Sequence, residues 1–294
     1  MSSVLYDTPG PVTRRRERIA SVVAGVLVLA LLGVAAWYAA GRGIFTAERW
    51  AVLYDPPMGQ TASAVWRNLL VDGLGATLRA AVVAAPLALL LGLVLAVLRT
   101  TRVAPLRWLA TVVIELFRGL PVLLVMLFAL LAFGWDAFRA VVFGLVVYNM
   151  AIIAEIVRAG LASLPKGQTE AALAVGLSRG QALRLVLLPQ ALRTMLPSLV
   201  AQLVVLLKDS SLGFIVGYQE LLKVIQNNTY FFGNASVVAL FVVGAGVYLA
   251  VNITLSRLAM RLQGRSLRTA TPPALAAAAG DGAPGLDPEG AVPR

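Results

Sequence analysis

Six stretches of the chain, residues 19–40, 69–98, 108–133, 138–161, 191–216 and 235–260, stay apolar over lengths that match a bilayer. A helix rises 1.5 Å per residue, so about 20 apolar residues cross the roughly 30 Å hydrocarbon core, where backbone polar groups find partners only inside helices or closed barrels. Runs this long predict an all-α integral membrane protein with about six transmembrane helices. Composition agrees. Hydrophobic residues make up 59% and charged residues 13% of the 294 residues, with a mean hydropathy of +0.84, well outside the range of soluble globular chains. The first run is read as a retained span: it is too long for a cleaved leader and closes on Trp37-Tyr38-Ala39-Ala40-Gly41, the character of an interfacial anchor.

The net charge of +11 would indicate nucleic acid on a soluble fold, but here the basic residues flank apolar runs. They describe topology instead, and no nucleic-acid partner is expected. Arg14, Arg15, Arg16 and Arg18 precede the first run; Arg99, Arg102 and Arg107 follow the second; Arg158, Lys166, Arg179, Arg184 and Arg193 surround the 162–190 loop; and Arg257, Arg261, Arg265 and Arg268 follow the sixth. The opposite loops carry chiefly Arg42, Arg49, Arg67 and Lys223. The bias of basic residues toward cytoplasmic loops places both termini and the 162–190 loop in the cytoplasm of a multi-pass plasma-membrane protein. The expected organisation is a disordered basic N-terminus over 1–16, an additional first span and external loop over 17–68, a five-helix core over 69–262, and a disordered cytoplasmic tail over 263–294. The chain has no Cys and no His, which removes disulfides, thiolate chemistry and imidazole ligands or bases. Neither catalytic residues nor a metal site is expected.

Within the 162–190 loop, Ser163 and Pro165 suit a helix start, the Glu170-to-Val175 run is strongly helix-forming, and Gly176 is placed to end that helix in a left-handed cap. Ser178 and Gln181 have the spacing of a capping box opening a second short helix, and Pro189 is expected to end it. A compact helix-turn-helix follows, of a shape suited to a groove on a partner, although an amphipathic connector has the same periodicity. The spacing discriminates. Glu170-Ala171-Ala172, three residues, Gly176, nine residues and then Val186-Leu187-Leu188-Pro189 resembles the EAA loop by which permeases of ATP-binding-cassette importers dock on their ATPase.

The resemblance extends over about residues 72–221. Gly73-Leu-Gly-Ala-Thr77-Leu78, Glu115-Leu-Phe-Arg118-Gly119-Leu-Pro121, Ala154-Glu155-Ile-Val-Arg158-Ala-Gly160 and Lys208-Asp209-Ser210-Ser211-Leu212 are similar to the polar amino acid permeases of the histidine, glutamate, glutamine, arginine and opine group. The segment from Met1 to Gly10, with the extra first span, resembles more narrowly the actinobacterial glutamate-uptake permeases. Two positions depart from the family: Leu120 and Ser210 stand where Thr is frequent, and the first bears on fine ligand preference. The resemblance implies a type I importer permease fold with a cytoplasmic coupling-helix loop, in which Glu170, Ala171, Ala172, Gly176, Ser178 and Pro189 couple to an ATPase. It also implies a second permease subunit, expected as a heterodimer, and an extracytoplasmic amino-acid-binding protein. No G-x-x-x-x-G-K-[ST] phosphate loop occurs, so no cofactor is expected on this chain, and ATP with Mg belongs to the partner ATPase.

Charges inside spans cost about 2.5 to 3.5 kcal/mol at mid-helix, so each needs a reason. Glu115 with Arg118, and Glu155 with Arg158, have i,i+3 spacing that permits intrahelical pairs; a ligand-path role is the other reading. Lys208, Asp209, Ser210 and Ser211 interrupt an apolar run and must line a polar cavity or a contact between permease subunits. Asn149 and Gln202 read as interhelical hydrogen-bond partners or path residues, and Arg79 as an attractor for an acidic ligand or as a snorkelling side chain. The function this supports is the permease subunit of an ATP-driven importer of a polar amino acid, with glutamate the expected ligand. The alternative is a self-contained secondary amino acid transporter, against which stands the lack of an internal inverted repeat; a membrane scaffold would leave the helix-turn-helix unexplained.

Overall fold

A computed structural model of the chain describes residues 10–268, and every regular element among them is helical. The described residues form two compact units, 10–66 with 228–242, and 67–227 with 243–268.

The first unit opens with α1 (Pro11–Gly41), whose Pro11 sits in the first turn, where its missing N–H costs nothing. Residues 11–16 are therefore helical, which corrects the expectation of disorder there, because the Arg-rich run has good helix propensity and continues directly into the span. At the far end of α1 the Arg42 guanidinium donates to the Tyr38 hydroxyl at 2.7 Å. Beyond it come α2 (Ala47–Trp50) and α3 (Ala62–Arg67), with the Trp66 indole N–H bonded to the Leu53 carbonyl at 3.1 Å.

In the second unit a π turn over Asn68–Leu74 carries α3 without interruption into α4 (Gly75–Thr100). The expected boundary at residues 68 and 69 thus falls inside a continuous helix of 39 residues. Next come α5 (Ala104–Gly119), α6 (Val122–Ala132) and α7 (Ala137–Ala162), the last capped by Asp136 accepting from the Arg139 N–H at 3.1 Å. The loop helices α8 (Lys166–Ala174) and α9 (Arg179–Gln181) lead to α10 (Leu188–Asp209), a tight 3-10 turn over Ser210–Phe214, α11 (Leu221–Phe232) and α12 (Val237–Arg268). Residues 263–268 continue α12, correcting the expected start of a disordered tail; the remaining tail and residues 1–9 lie outside the described residues.

α7 is the central helix, packed against α4, α5, α6 and α10. Small residues allow that. Ala80, Ala84, Ala88, Gly92 and Ala96 recur every fourth position of α4 and are all buried, the pattern that lets helix backbones approach closely in lipid. A Cβ at Gly92 would lie 2.7 Å from Ile153, and one at Gly144 or Gly160 would overlap Met126 or Met195. Large side chains such as Ile114, Leu145, Ile153 and Leu206 fill the interior, while Val82, Leu90, Leu124 and Leu131 point outward, as lipid contact requires.

Among the described residues five helices are long and apolar enough to cross a membrane, or six if one bent pair counts as a single span. The third expected run, 108–133, is two helices, α5 and α6, bent by 100°. Pro121 explains the elbow: it lacks an N–H and forces the residue before it out of helical space, and Leu120 is extended at φ −91° and ψ 136°.

Candidate functional site

The 162–190 loop has the turn and the caps read from its spacing but not the helix limits read at Ser163 and Pro189. α7 ends at Ala162, the Ser163 hydroxyl donates back to the Gly160 carbonyl at 2.9 Å, and Pro165 stands just ahead of α8. Ser163 therefore closes one helix and does not open the next. Gly176 has φ +85°, a conformation that costs any residue with a Cβ. The Leu177 N–H bonds to the Ala172 carbonyl at 3.2 Å and the Gly176 N–H to the Leu173 carbonyl at 3.0 Å, the paired bonds of a Schellman cap. Ser178 and Gln181 form the full capping box, the Ser178 hydroxyl oxygen accepting from the Gln181 N–H and the Gln181 side-chain Oε1 from the Ser178 N–H. Glu170, Ala171, Gly176, Ser178 and Pro189 are exposed, and Ala172 is buried beneath them. Pro189 does not end a helix. It sits in the first turn of α10, after a π turn over Ala182–Leu187 whose wider hydrogen bonding absorbs the ring, so the run from Arg179 onward is continuous.

The elbow between α5 and α6 opens a cleft of about 410 Å³ lined by Arg118, Gly119, Leu120, Pro121, Tyr148, Asp209 and neighbouring apolar side chains. Two of the expected path residues, Arg118 and Asp209, thus meet at one site, with opposite charge. No ion pair reaches Asp209 among the described residues, and Arg118 is paired with Glu115 at 2.5 Å. Behind the cleft the two expected i,i+3 pairs are both made, Glu115 with Arg118 and Glu155 with Arg158, and Arg99 joins them by donating to Glu155 at 2.9 Å and Glu115 at 3.3 Å. The sequence reading assigned Arg99 to topology. The overlooked signal is that this arginine ends an apolar run while two acids lie within neighbouring apolar runs.

The other expected path residues lie elsewhere. Asn149 is fully buried and donates to the Leu145 carbonyl at 2.7 Å while accepting from Gln202 at 2.8 Å, a link between α7 and α10. Ser210 is buried with its hydroxyl on the Leu207 carbonyl, and the Ser211 hydroxyl is on the Lys208 carbonyl. Both serines thus satisfy their own helix end. Lys208 is exposed, on a different face from Asp209. Arg79 lies 4.7 Å above the Phe138 ring, a cation–π contact away from the cleft.

Residues 88–269 match the family described as the binding-protein-dependent transport system inner membrane component. The chain belongs to this family. It is 41% identical over 237 residues to the glutamate transport system permease protein GluD of Corynebacterium glutamicum, covering 78% of this chain and 83% of that one. It is 36% identical over 208 residues to the probable glutamine ABC transporter permease protein GlnP of Bacillus subtilis, covering 67% and 93%. Among solved structures, an amino acid ABC transporter crystallised with histidines aligns at a TM-score of 0.63 and 29% identity, over 69% of this chain and 97% of that one. An inward-facing MetNI methionine ABC transporter aligns at 0.58 and 25% identity, over 72% and 100%. This member of the inner-membrane component family is accordingly a multi-pass plasma-membrane permease subunit of an ATP-driven importer. It works in a complex with a further permease subunit and with a separate ATPase that carries out hydrolysis, and the reading as a self-contained secondary carrier falls.

Proposed function

We propose that this permease imports glutamate, and that the ligand passes the cleft between Arg118 and Asp209. The observation that carries the reading is a pair of opposite charges, not bridged to each other, on one cleft at a break in a helix. A zwitterion presents a carboxylate and an ammonium at once, and the cleft presents a guanidinium and a carboxylate. Leu120 adds an apolar wall where the family often has a hydroxyl, leaving the charges to decide orientation. The relative named for glutamate supports the choice of ligand. Lys208, Ser210, Ser211, Asn149 and Arg79 support the path from the surrounding helices and do not line the cleft.

The rest of the assembly is proposed on the loop and the charge distribution. Glu170, Ala171, Gly176, Ser178 and Pro189, backed by the buried Ala172, form the surface that seats in the ATPase, which holds ATP and Mg; this chain holds no cofactor. The permease pairs with a similar but different subunit, an extracytoplasmic binding protein delivers the amino acid, and both termini lie in the cytoplasm with the coupling loop. Hydrolysis then shifts the pair between states that open to opposite sides.

The test is uptake of glutamate into proteoliposomes holding the complex and its binding protein. Asp209→Asn keeps the shape and removes the charge. A path role predicts uptake reduced roughly tenfold, the factor that about 1.4 kcal/mol of lost interaction gives, with the complex recovered intact. Loss of the complex would assign Asp209 to subunit packing, and unchanged uptake would remove it from the path.

A further inference from the structure

Arg99 ends α4 at the edge of an apolar run, a natural place for a charge that only fixes topology. Its side chain is nevertheless only 20% exposed, and its two terminal nitrogens are committed to carboxylates on two different helices. Nη1 donates to Glu155 Oε2 on α7 at 2.9 Å and Nη2 to Glu115 Oε1 on α5 at 3.3 Å. The second oxygen of Glu115 accepts from Arg118 Nη2, and Glu155 in turn accepts from Arg158 through Nε and Nη2. Three guanidiniums against two carboxylates leave one positive charge over, and Arg118 is the member that lines the cleft.

We infer that Arg99 is a positioning residue for that cleft: by holding Glu115 against Glu155 it fixes the carboxylate that aims the Arg118 guanidinium at a ligand's carboxylate. The inference rests on the cleft reading given above. Arg118 stands on the last turn of α5, two residues before the extended Leu120 at the elbow. Its side chain is 41% exposed and that of Glu115 is 44% exposed. Left to themselves the two would swing together as one surface pair, of the kind that contributes little. Arg99 prevents this by tying Glu115 to α7, the central helix. Only a planar fork does so, because it directs two donors along divergent fixed directions, whereas an ammonium is a single point of charge. Clamping the pair also keeps that positive charge beside the cleft to offset Asp209, without which a net negative cleft would disfavour an acidic amino acid relative to its neutral amide.

The experiment measures glutamate and glutamine uptake by the complete complex in proteoliposomes, with recovery of the complex followed on the same preparations. Arg118→Gln is expected to lower glutamate uptake roughly tenfold, as loss of one charge-assisted contact does, and to lower glutamine uptake less. Arg99→Gln should approach the same loss and the same shift in preference, and Arg99→Lys, which retains the charge but not the fork, should recover part of it. The decisive variant combines Arg99→Gln with Arg118→Gln. If Arg99 acts through Arg118, the double variant is no worse than Arg118→Gln alone, since coupled residues are not additive. A double variant lowered by the full product of the two single losses, or an unaltered glutamate-to-glutamine ratio in Arg99→Gln, overturns the inference and leaves the cleft reading standing. Unchanged uptake in Arg118→Gln overturns both.

Discussion

At the scale of single residues the least expected is Glu220, which nothing in the sequence singled out. It is completely buried just ahead of α11, accepting from the Leu222 N–H at 3.0 Å and the Lys223 N–H at 2.8 Å. It lies outside the spanning helices, in a connection anchored by the Leu221 N–H on the Thr77 hydroxyl at 3.1 Å and the Tyr218 hydroxyl on the Ala76 carbonyl at 2.8 Å. Burial pushes its carboxyl up from the ordinary 4.5 to about 7, while the two backbone N–H donors hold it down. The folded chain therefore keeps a proton that the unfolded chain has already released. Its contribution to stability is complete below the unfolded value of 4.5 and is lost as pH rises through about 7, a difference of about 3 kcal/mol at about 1.4 kcal/mol per unit. The thermal midpoint of the detergent-purified protein should then fall between about pH 5 and about pH 8. Glu220→Gln, which removes the titrating group and keeps an acceptor for one of the two N–H groups, should flatten that fall, and an unchanged slope would place the titration on another group. Arg99 taught the same lesson from the other side. A long side chain at the end of an apolar run reads the same whether it reaches for solvent or for two acids, because its partners lie 16 and 56 residues away.

Among elements, the coupling loop was the most legible, because each of its signals acts within a few residues. Gly176 left-handed, Ser178 and Gln181 in a reciprocal cap and a helix over the Glu170 run all depend on local geometry, which spacing encodes. Pro189 misled because the effect of a proline depends on what precedes it; a π turn converts a stop into a first turn. The same local reasoning supports an experiment. A Cβ at Gly176 meets no atom within 4 Å, so Gly176→Asp costs only the left-handed conformation, about 1–2 kcal/mol. That is enough to reshape the turn and too little to unfold the spans. The variant should insert and assemble, hydrolyse ATP with the partner, and import little, a dissociation visible when uptake and hydrolysis are measured on one preparation. Normal uptake would show that the α8–α9 turn is not the coupling surface.

Over the whole molecule, class, length of spans and family were readable because hydropathy is a property of long segments, and the elbow was not, because one Pro among apolar residues leaves hydropathy untouched. That elbow also sets the parity of the topology. Among the described residues five helices are long and apolar enough to cross, and six crossings result if the bent pair counts as one. With an even number the chain ends lie on one side, so reporters fused after Arg268 and at Arg102 should both score cytoplasmic while one at Asp55 scores external. An external score after Arg268 would make the pair a re-entrant loop and the count odd. The elbow has a second consequence, for biosynthesis. α6 has 11 residues, a rise of about 16 Å and roughly half the hydrocarbon thickness. α5 carries Arg107, Glu115 and Arg118 along its length. Neither half holds in a bilayer alone, yet α6 packs along α7, and Gly144 of α7 meets Met126 of α6 with no room for a methyl group. The third hydrophobic segment is therefore expected to be held in the membrane only once α7 has been synthesised, and chains truncated before and after α7 should differ in membrane retention of α5 and α6, equal retention counting against this order.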